Sequence, residues 1–481
     1  MELTQKVAKN TSYYTVALII QKIISFGYFS YLAVQIGAGN LGKYTFALSF
    51  TTIFAVLIDI GLANVITREV AKFQDKAGQY LAAVLAIKLP LAVITYLIVI
   101  GLINLLGNPV ITRQLVYISG LIMVVDSFTL TFYAIFRGFH NLKVESLGTI
   151  IFQILVAGSG IILVQITHDV RILILAVLLG STFNLFYSMA LLFKKLKIHL
   201  SFKLDKAILK SLLLITIPFA LAGIFTRVYG YIDSVFLHQF ISDVAVGHYS
   251  IPYKITFALQ FIPLAFIAAL YPAFTAFFNE SREMLKFAFQ RSVIYLSIIA
   301  VPIALGVISL ADKVIVNIYS EEYLPSILPL KILMISLPFL FINFPLGALL
   351  NACNRQIRNT VNIGVVMLIN VVLNLILIPK LGVVGAATAS TFSTLLMFSL
   401  QIYAARQIIK LGDRPLLRQL CKVILAGVAM YLTLLFFKTT VHYLLLIPFG
   451  ACVFFIILFV TKGFTIHELK DLLKSISNKS V

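Results

Sequence analysis

Eight ionisable residues fall inside long apolar runs of this sequence: Lys22, Lys88, Arg227, Lys254 and Lys331 among the bases, and Asp59, Asp126 and Asp233 among the acids. A charge is expensive to hold in a bilayer, so such residues normally face a cavity or a partner and serve a function. Two of them recur. An offset of 205 residues relates Lys22 to Arg227, and the same offset relates Gly42 to Gly247 and Tyr44 to Tyr249. A buried cation in each half of a duplicated membrane chain points to a transporter that binds its substrate between the halves.

The balance of sign selects the substrate. A cavity lined by Lys22, Arg227, Lys88 and Lys254 is positive and would attract phosphate or pyrophosphate, with lysine acting as a point charge and arginine as a fork. Asp126 and Asp233 are the candidates for coupling to a proton or cation. Asp233 lies six residues beyond Arg227, about 9 Å further along a helix and on a different face, so the two form no direct ion pair. Asp59 is near the end of its run and reads as a cap or as the partner of a basic neighbour. Lys331, also near an end, reads as snorkelling to the interface. For every cation the competing reading is a packing role, opposite a carboxylate or backbone carbonyls. Recurrence argues against that reading for Lys22 and Arg227.

The elements that position these residues are helices. The 481-residue chain is 60% hydrophobic and 12% charged, against about 25% charged in a soluble domain. Fourteen apolar runs, from 13–36 and 43–66 through 211–238 and 246–271 to 418–437 and 441–461, are each long enough to cross a bilayer. The expected fold is an all-α polytopic membrane protein. Its parts are two pseudo-symmetric six-helix lobes around a central cavity (1–200 and 201–410) and an added helix pair with a tail (411–481). An even number of spans puts both termini on one side. Of the 38 Lys and Arg, 27 fall on that side, in the termini and in the loops after even-numbered spans. The asymmetry places both termini in the cytoplasm of a cell-membrane protein.

This bias also accounts for the net charge of +20 without a nucleic-acid partner. Met1 to Asn10 carries no cleavable signal pattern, so the first span is expected to stay as an anchor. Cys353, Cys421 and Cys452 form no spaced pair, and the seven histidines are scattered, so neither a disulfide framework nor a metal or cofactor site is expected. The longest loops, Lys194–Lys210 and Ala311–Ser326, have 17 and 16 residues. Neither is large enough to fold as a domain, so an enzyme or an ATP-driven pump is not expected. Lys194–Lys210 reads as the linker between lobes, with Asp205 capping a surface helix. Prolines inside spans, seven of eight in the second lobe, suit helices that bend.

The run Asn351-Ala352-Cys353-Asn354-Arg355, through Asn370 and Asn374, into Ile378-Pro379-Lys380-Leu381-Gly382-Val383-Val384-Gly385-Ala386-Ala387-Thr388-Ala389 resembles the eleventh and twelfth spans of the polysaccharide transporter family, within the multidrug/oligosaccharidyl-lipid/polysaccharide exporter superfamily. Gly39 to Tyr44 is similar to that family's first outer turn, Asp205 to Pro218 to the entry of its seventh span, and Ile318 to Tyr323 to the turn before its tenth. The resemblance implies a flippase for an anionic lipid-linked oligosaccharide, such as an O-antigen or capsule repeat unit on undecaprenyl pyrophosphate. It implies alternating access, Lys22 and Arg227 lining the cavity, and polysaccharide polymerase and chain-length machinery as partners beside membrane lipids. A multidrug or cation antiporter of the same superfamily is the alternative, and an integral membrane glycosyltransferase or polymerase is a weaker one.

Overall fold

A computed structural model describes residues 2–196, 198 and 206–463. Fifteen α-helices and two short 3-10 turns account for the described secondary structure, which contains no strand. Among them, twelve helical stretches are long and apolar enough to cross a membrane. The chain is an all-α polytopic membrane protein.

Helix α1 (Glu2–Asp59) has 58 residues, and Gly37 breaks it with φ 72° and ψ 170°. At about 1.5 Å per residue it is far longer than the roughly 30 Å hydrocarbon core, so the break yields two crossings. The bend sits at Gly37, and the Gly39–Tyr44 stretch read from the sequence as a turn already belongs to the second helical segment. The second crossing also ends earlier than the run 43–66 suggested. Ile60 and Gly61 adopt left-handed φ of 41° and 88°, which separates Asp59 from α2 (Leu62–Lys72). That short helix turns Leu62, Val65, Ile66 and Val70 inward and leaves Arg68 and Lys72 exposed.

Helices α3 (Ala77–Leu105), α4 (Val110–Gly138), α5 (Leu142–Ile166) and α6 (Val170–Lys195) follow, then α7 (Lys206–Phe240), α8 (Asp243–Leu259) and α9 (Phe261–Glu280). The run 246–271 is interrupted at Gln260, between α8 and α9. The turn before α8 is only two residues long, and the Ser242 hydroxyl accepts from the Ala245 N–H at 3.2 Å to cap the helix. Beyond lie α10 (Arg282–Tyr319), α11 (Ile327–Ala352), α12 (Gln356–Leu381), α13 (Val383–Ala405), α14 (Arg414–Phe437) and α15 (Tyr443–Val460). Most of the loop expected at Ala311–Ser326 is therefore helical: α10 runs on to Tyr319, and Glu321–Ser326 is a 3-10 turn. Asp205 and the central part of the linker, 199–205, lie outside the described residues.

Two compact units emerge from the packing. One comprises the chain up to Lys254 together with Ile363–Ala386; the other comprises Ile255–Asn362 and the chain from Ala387 onward. These packing units cut the chain differently from the sequence repeat. In the first unit, α1 packs on α3, α4, α5 and α7, and α4 packs on α6. Its core joins Leu62, Ile66 and Val70 to Leu81, Val84, Phe132, Phe136 and Leu212. In the second unit, α14 and α15 pack on each other and on α10. Lys438 pairs there with Asp312 at 2.7 Å, and Lys286 pairs with Asp413. Large apolar side chains such as Leu97, Leu102, Leu432 and Phe436 stay exposed along the helices. In hydrocarbon these surfaces meet lipid, which is why apolar residues are not confined to the interior.

Candidate anion site and buried polar clusters

All six residues named as site candidates belong to the first packing unit. The first segment of α1 carries Lys22, α7 carries Arg227, and α8 ends its unit with Lys254. α1 and α7 pack against each other, so the two recurring cations sit on neighbouring helices. Lys22 is half-buried and Arg227 exposed. Lys254, half-buried, stacks its ammonium on the Phe29 ring at 5.1 Å from the centroid. Phe29 follows Lys22 by two helical turns and shares its face of α1. The two ammonium groups are close enough to act on each other electrostatically. Among the described residues no carboxylate pairs with Arg227 or Lys254. Like charges held near each other repel, and a multivalent anion placed between them removes that repulsion.

Lys88 has a different environment. Its side chain is completely buried, and its three protons are all used: on Asp59 Oδ1 at 2.7 Å, the Ser127 carbonyl at 2.8 Å and Thr131 Oγ1 at 2.8 Å. A carboxylate at a helix C-terminus is disfavoured by the helix dipole, and Asp59 is the last residue of α1. Lys88 compensates it and ties the C-terminal end of α1 to the bodies of α3 and α4 beside the Ile60–Gly61 break. Lys88 thus donates its protons to Asp59, the Ser127 carbonyl and Thr131.

Asp233 is buried. Its Oδ2 accepts from the Tyr249 hydroxyl at 2.7 Å and its Oδ1 from Asn374 Nδ2 at 2.7 Å; the same Nδ2 lies 3.0 Å from Asn370 Oδ1. The cluster joins α7, α8 and α12, and Asn374 Oδ1 is buried with no hydrogen-bond partner among the described residues. Asp126 is exposed on α4, beside Ser181 of α6. Two turns along the same face, the Tyr133 hydroxyl donates to Asn184 Oδ1 at 2.5 Å, which continues a polar seam between the two helices.

Sequence reading gave no role to Phe29, Tyr249, Asn370 or Asn374. The signals existed: Phe29 lies seven residues from Lys22, and two asparagines four apart in the middle of an apolar run mark one polar face. At the other end of the cluster is the duplicated glycine pair. A β-carbon on Gly42 would lie 1.7 Å from the Asp243 carbonyl oxygen, and one on Gly247 would lie 2.0 Å from that of Ala38. The offset of 205 residues therefore marks a reciprocal contact in which each repeat's glycine seats the other's backbone.

Three relatives are similar in sequence. The uncharacterized membrane protein MJ1068 of Methanocaldococcus jannaschii is 25% identical over 51% of this chain, a match that spans 50% of that protein. The probable low-salt glycan biosynthesis flippase Agl15 of Haloferax volcanii is 23% identical over 76% of each chain. The capsular polysaccharide biosynthesis protein CapF of Staphylococcus aureus is 22% identical over 80% of this chain and 96% of its own. In fold, the chain resembles lipid II flippase MurJ in its inward closed conformation, with a TM-score of 0.75 and 16% identity over 92% of this chain and 97% of that one. It also resembles an inward-facing multidrug resistance MATE transporter of the MOP superfamily, with a TM-score of 0.62 and 16% identity over 82% of this chain and 100% of that one. The MatE family matches residues 218–376. Residues 7–278, more than half of the chain, match the family described as polysaccharide biosynthesis protein, and the chain belongs to that family.

Proposed function

We propose that this protein is an alternating-access flippase that moves an anionic lipid-linked oligosaccharide, a repeat unit on a polyprenyl pyrophosphate such as undecaprenyl pyrophosphate, from the cytoplasmic to the outer leaflet. It would serve polysaccharide, O-antigen or capsule synthesis. The observation that carries this reading is the cation set on α1, α7 and α8. Lys254 lies over Phe29 and interacts electrostatically with Lys22, and Arg227 sits on the helix packed against α1. A diphosphate is the ligand whose charge and oxygen count match two ammonium groups and a guanidinium. The names of the glycan flippase, capsule and lipid II flippase relatives point the same way.

In this mechanism the head group enters from the cytoplasmic leaflet and meets Lys22, Lys254 and Arg227. The repeat-related lobes, 1–200 and 201–410, rock while the prenyl tail stays in lipid, and the head group leaves on the other side. Lys88 acts through Asp59, holding the end of α1 in register with α3 and α4. Asp126 and Asp233 are the sites for a coupling proton or cation. Both termini are cytoplasmic, the protein forms no covalent intermediate, and polymerase and chain-length proteins take over the product. Glycan analysis of a deletion strain tests the reading. Lipid-linked repeats should accumulate on the cytosolic face, wild-type protein should clear them, and Arg227→Glu should not; clearance by the Glu variant overturns the assignment.

A multidrug or cation antiporter is the second reading, favoured by the MatE match over 218–376. It makes Asp126 and Asp233 indispensable and the three cations dispensable. Drug-resistance assays on an expressing strain separate the two.

A further inference from the structure

We propose that His238 is a proton-binding site that holds the α1–α8 crossing shut. His238 lies in the last turn of α7. Its Nδ1 is 2.6 Å from Asp243 Oδ1 at the start of α8, and its Nε2 is 2.5 Å from Asn108 Oδ1 in the α3–α4 connection. The ring stacks on Phe46 of α1 at 3.7 Å between centroids. One imidazole thus fastens four parts of the chain. Asp243 takes part twice: its carboxylate meets His238, and its backbone carbonyl is the atom that Gly42 seats. Whatever happens at the ring is transmitted to the glycine crossing through a single residue.

The hydrogen-bond inventory makes the clasp proton-dependent. Both neighbours present oxygen, so both contacts are hydrogen bonds only when both ring nitrogens carry protons. A ring with one proton satisfies Asp243 alone, and the Asn108 amide must then turn its Nδ2 toward the ring. That Nδ2 is buried and has no partner among the described residues, so the side chain has two orientations, one for each protonation state. Losing the proton also replaces an imidazolium–carboxylate ion pair with a neutral N–H donating to the Asp243 carboxylate, a weaker contact. Charged and titratable groups stand on each element packed against the ring. Asp243 and, five residues on, His248 belong to α8; Lys43 precedes Phe46 by three residues on α1; Arg113 of α4 donates to Asn104 at 3.1 Å. On the orientation proposed above this end faces outward, so the proton would be exchanged with the external medium.

Hydrogen–deuterium exchange on the purified full chain tests the clasp between about pH 5.5 and about pH 8, the range in which histidine titrates. After correction for intrinsic rates, peptides covering 38–48 and 237–247 should exchange about fivefold faster at the higher pH, and peptides of α14 should not change. In His238→Gln, which hydrogen-bonds but takes up no proton in this range, the pH difference should vanish. Asp243→Asn, which keeps the side-chain volume, should exchange fast at both pH values. A wild-type protein without the pH difference, or a His238→Gln variant that retains it, overturns the proposal. If His238→Gln does not purify as a single species, a slow or pH-sensitive Asp243→Asn overturns it equally. None of these readouts depends on what the protein transports.

Discussion

Breaking the Lys88–Asp59 pair from either side should damage the protein unequally. Lys88 is 0% exposed at its side chain and Asp59 is 16% exposed. Removing one member of a buried pair costs about 3–5 kcal/mol, because the survivor is left charged and unpaired. In Asp59→Leu the survivor is an ammonium with no route to water, held only by the Ser127 carbonyl and Thr131 Oγ1. In Lys88→Met the survivor is a carboxylate that retains partial access. Asp59→Leu should therefore lie near the top of that range and Lys88→Met near the bottom. The double variant removes both charges and should recover most of the loss, as replacement of a buried pair by apolar residues often does. Reversible unfolding in mixed micelles, followed by far-ultraviolet circular dichroism, measures all four corners of the cycle. Coupling of at least about 2 kcal/mol is expected for groups in direct contact. Export separates the two roles of Lys88: a lysine that acts only through Asp59 leaves the double variant active, whereas one that meets the anion leaves it dead. Additive single effects, or singles within about 0.5 kcal/mol of wild type, would refute the structural argument outright.

Other expectations are as direct. Lys22→Glu and Arg227→Glu should each lower lipid-linked oligosaccharide export by at least about a hundredfold, since a like charge facing the substrate costs several kcal/mol, while membrane levels of the protein stay normal. Phe29→Leu removes the ring beneath Lys254 and should weaken anion-dependent thermal stabilisation by the roughly 0.5–2 kcal/mol of a cation–π contact; pyrophosphate titration in a thermal-shift assay reads this. Gly42→Ala places a methyl 1.7 Å from a backbone oxygen. The helices must separate, so exchange at 38–48 should accelerate at every pH. Asp169 caps α6 by accepting from the Arg171 N–H at 2.9 Å, and Asp169→Ala should cost about 1 kcal/mol at neutral pH. The Arg171 side-chain hydrogen bond, opposed by burial, holds the Asp169 carboxyl below its ordinary value. A depressed folded value means the contribution is complete above the unfolded value of about 3.9 and fades as pH falls through the folded one; wild type and variant should converge in stability only in acid.

The helical architecture was legible because hydrophobic run length is set by bilayer thickness, a constraint independent of neighbours. The charges were legible for the same reason: Lys22, Lys88, Asp126, Arg227, Asp233 and Lys254 interrupt otherwise apolar runs. Their partners were not. Lys88 and Asp59 are 29 residues apart, Asp233 and Asn374 are 141 apart, and no local periodicity encodes either meeting. Backbone breaks were partly hidden too. Asp59 ends a helix because Ile60, a β-branched residue, takes a left-handed conformation that its type disfavours, and only packing can impose that.

The duplicated positions carry a different lesson. A repeat that preserved only charge would suggest a site, and one that preserved only glycine would suggest close packing. Here the offset that links Lys22 to Arg227 also links Gly42 to Gly247, and those glycines bring α1 and α8 into backbone contact. The third match is divided in use. Tyr44 and Tyr249 are both buried, but Tyr249 donates its hydroxyl to Asp233, and the position equivalent to Asp233 in the first half, 28, is occupied by Tyr28, not an acid. The repeats therefore share the crossing and the cation, and differ in the carboxylate. A symmetric crossing lets the two halves part and rejoin by equivalent motions, whereas an acid in one half alone gives a bound proton or cation a different energy in each half. On the proposed transport reading, Asp233 with Tyr249 and Asn374 is a polar cluster that the first half does not reproduce, so Asp233→Asn and Asp126→Asn should affect transport differently if coupling rests on only one of these acids.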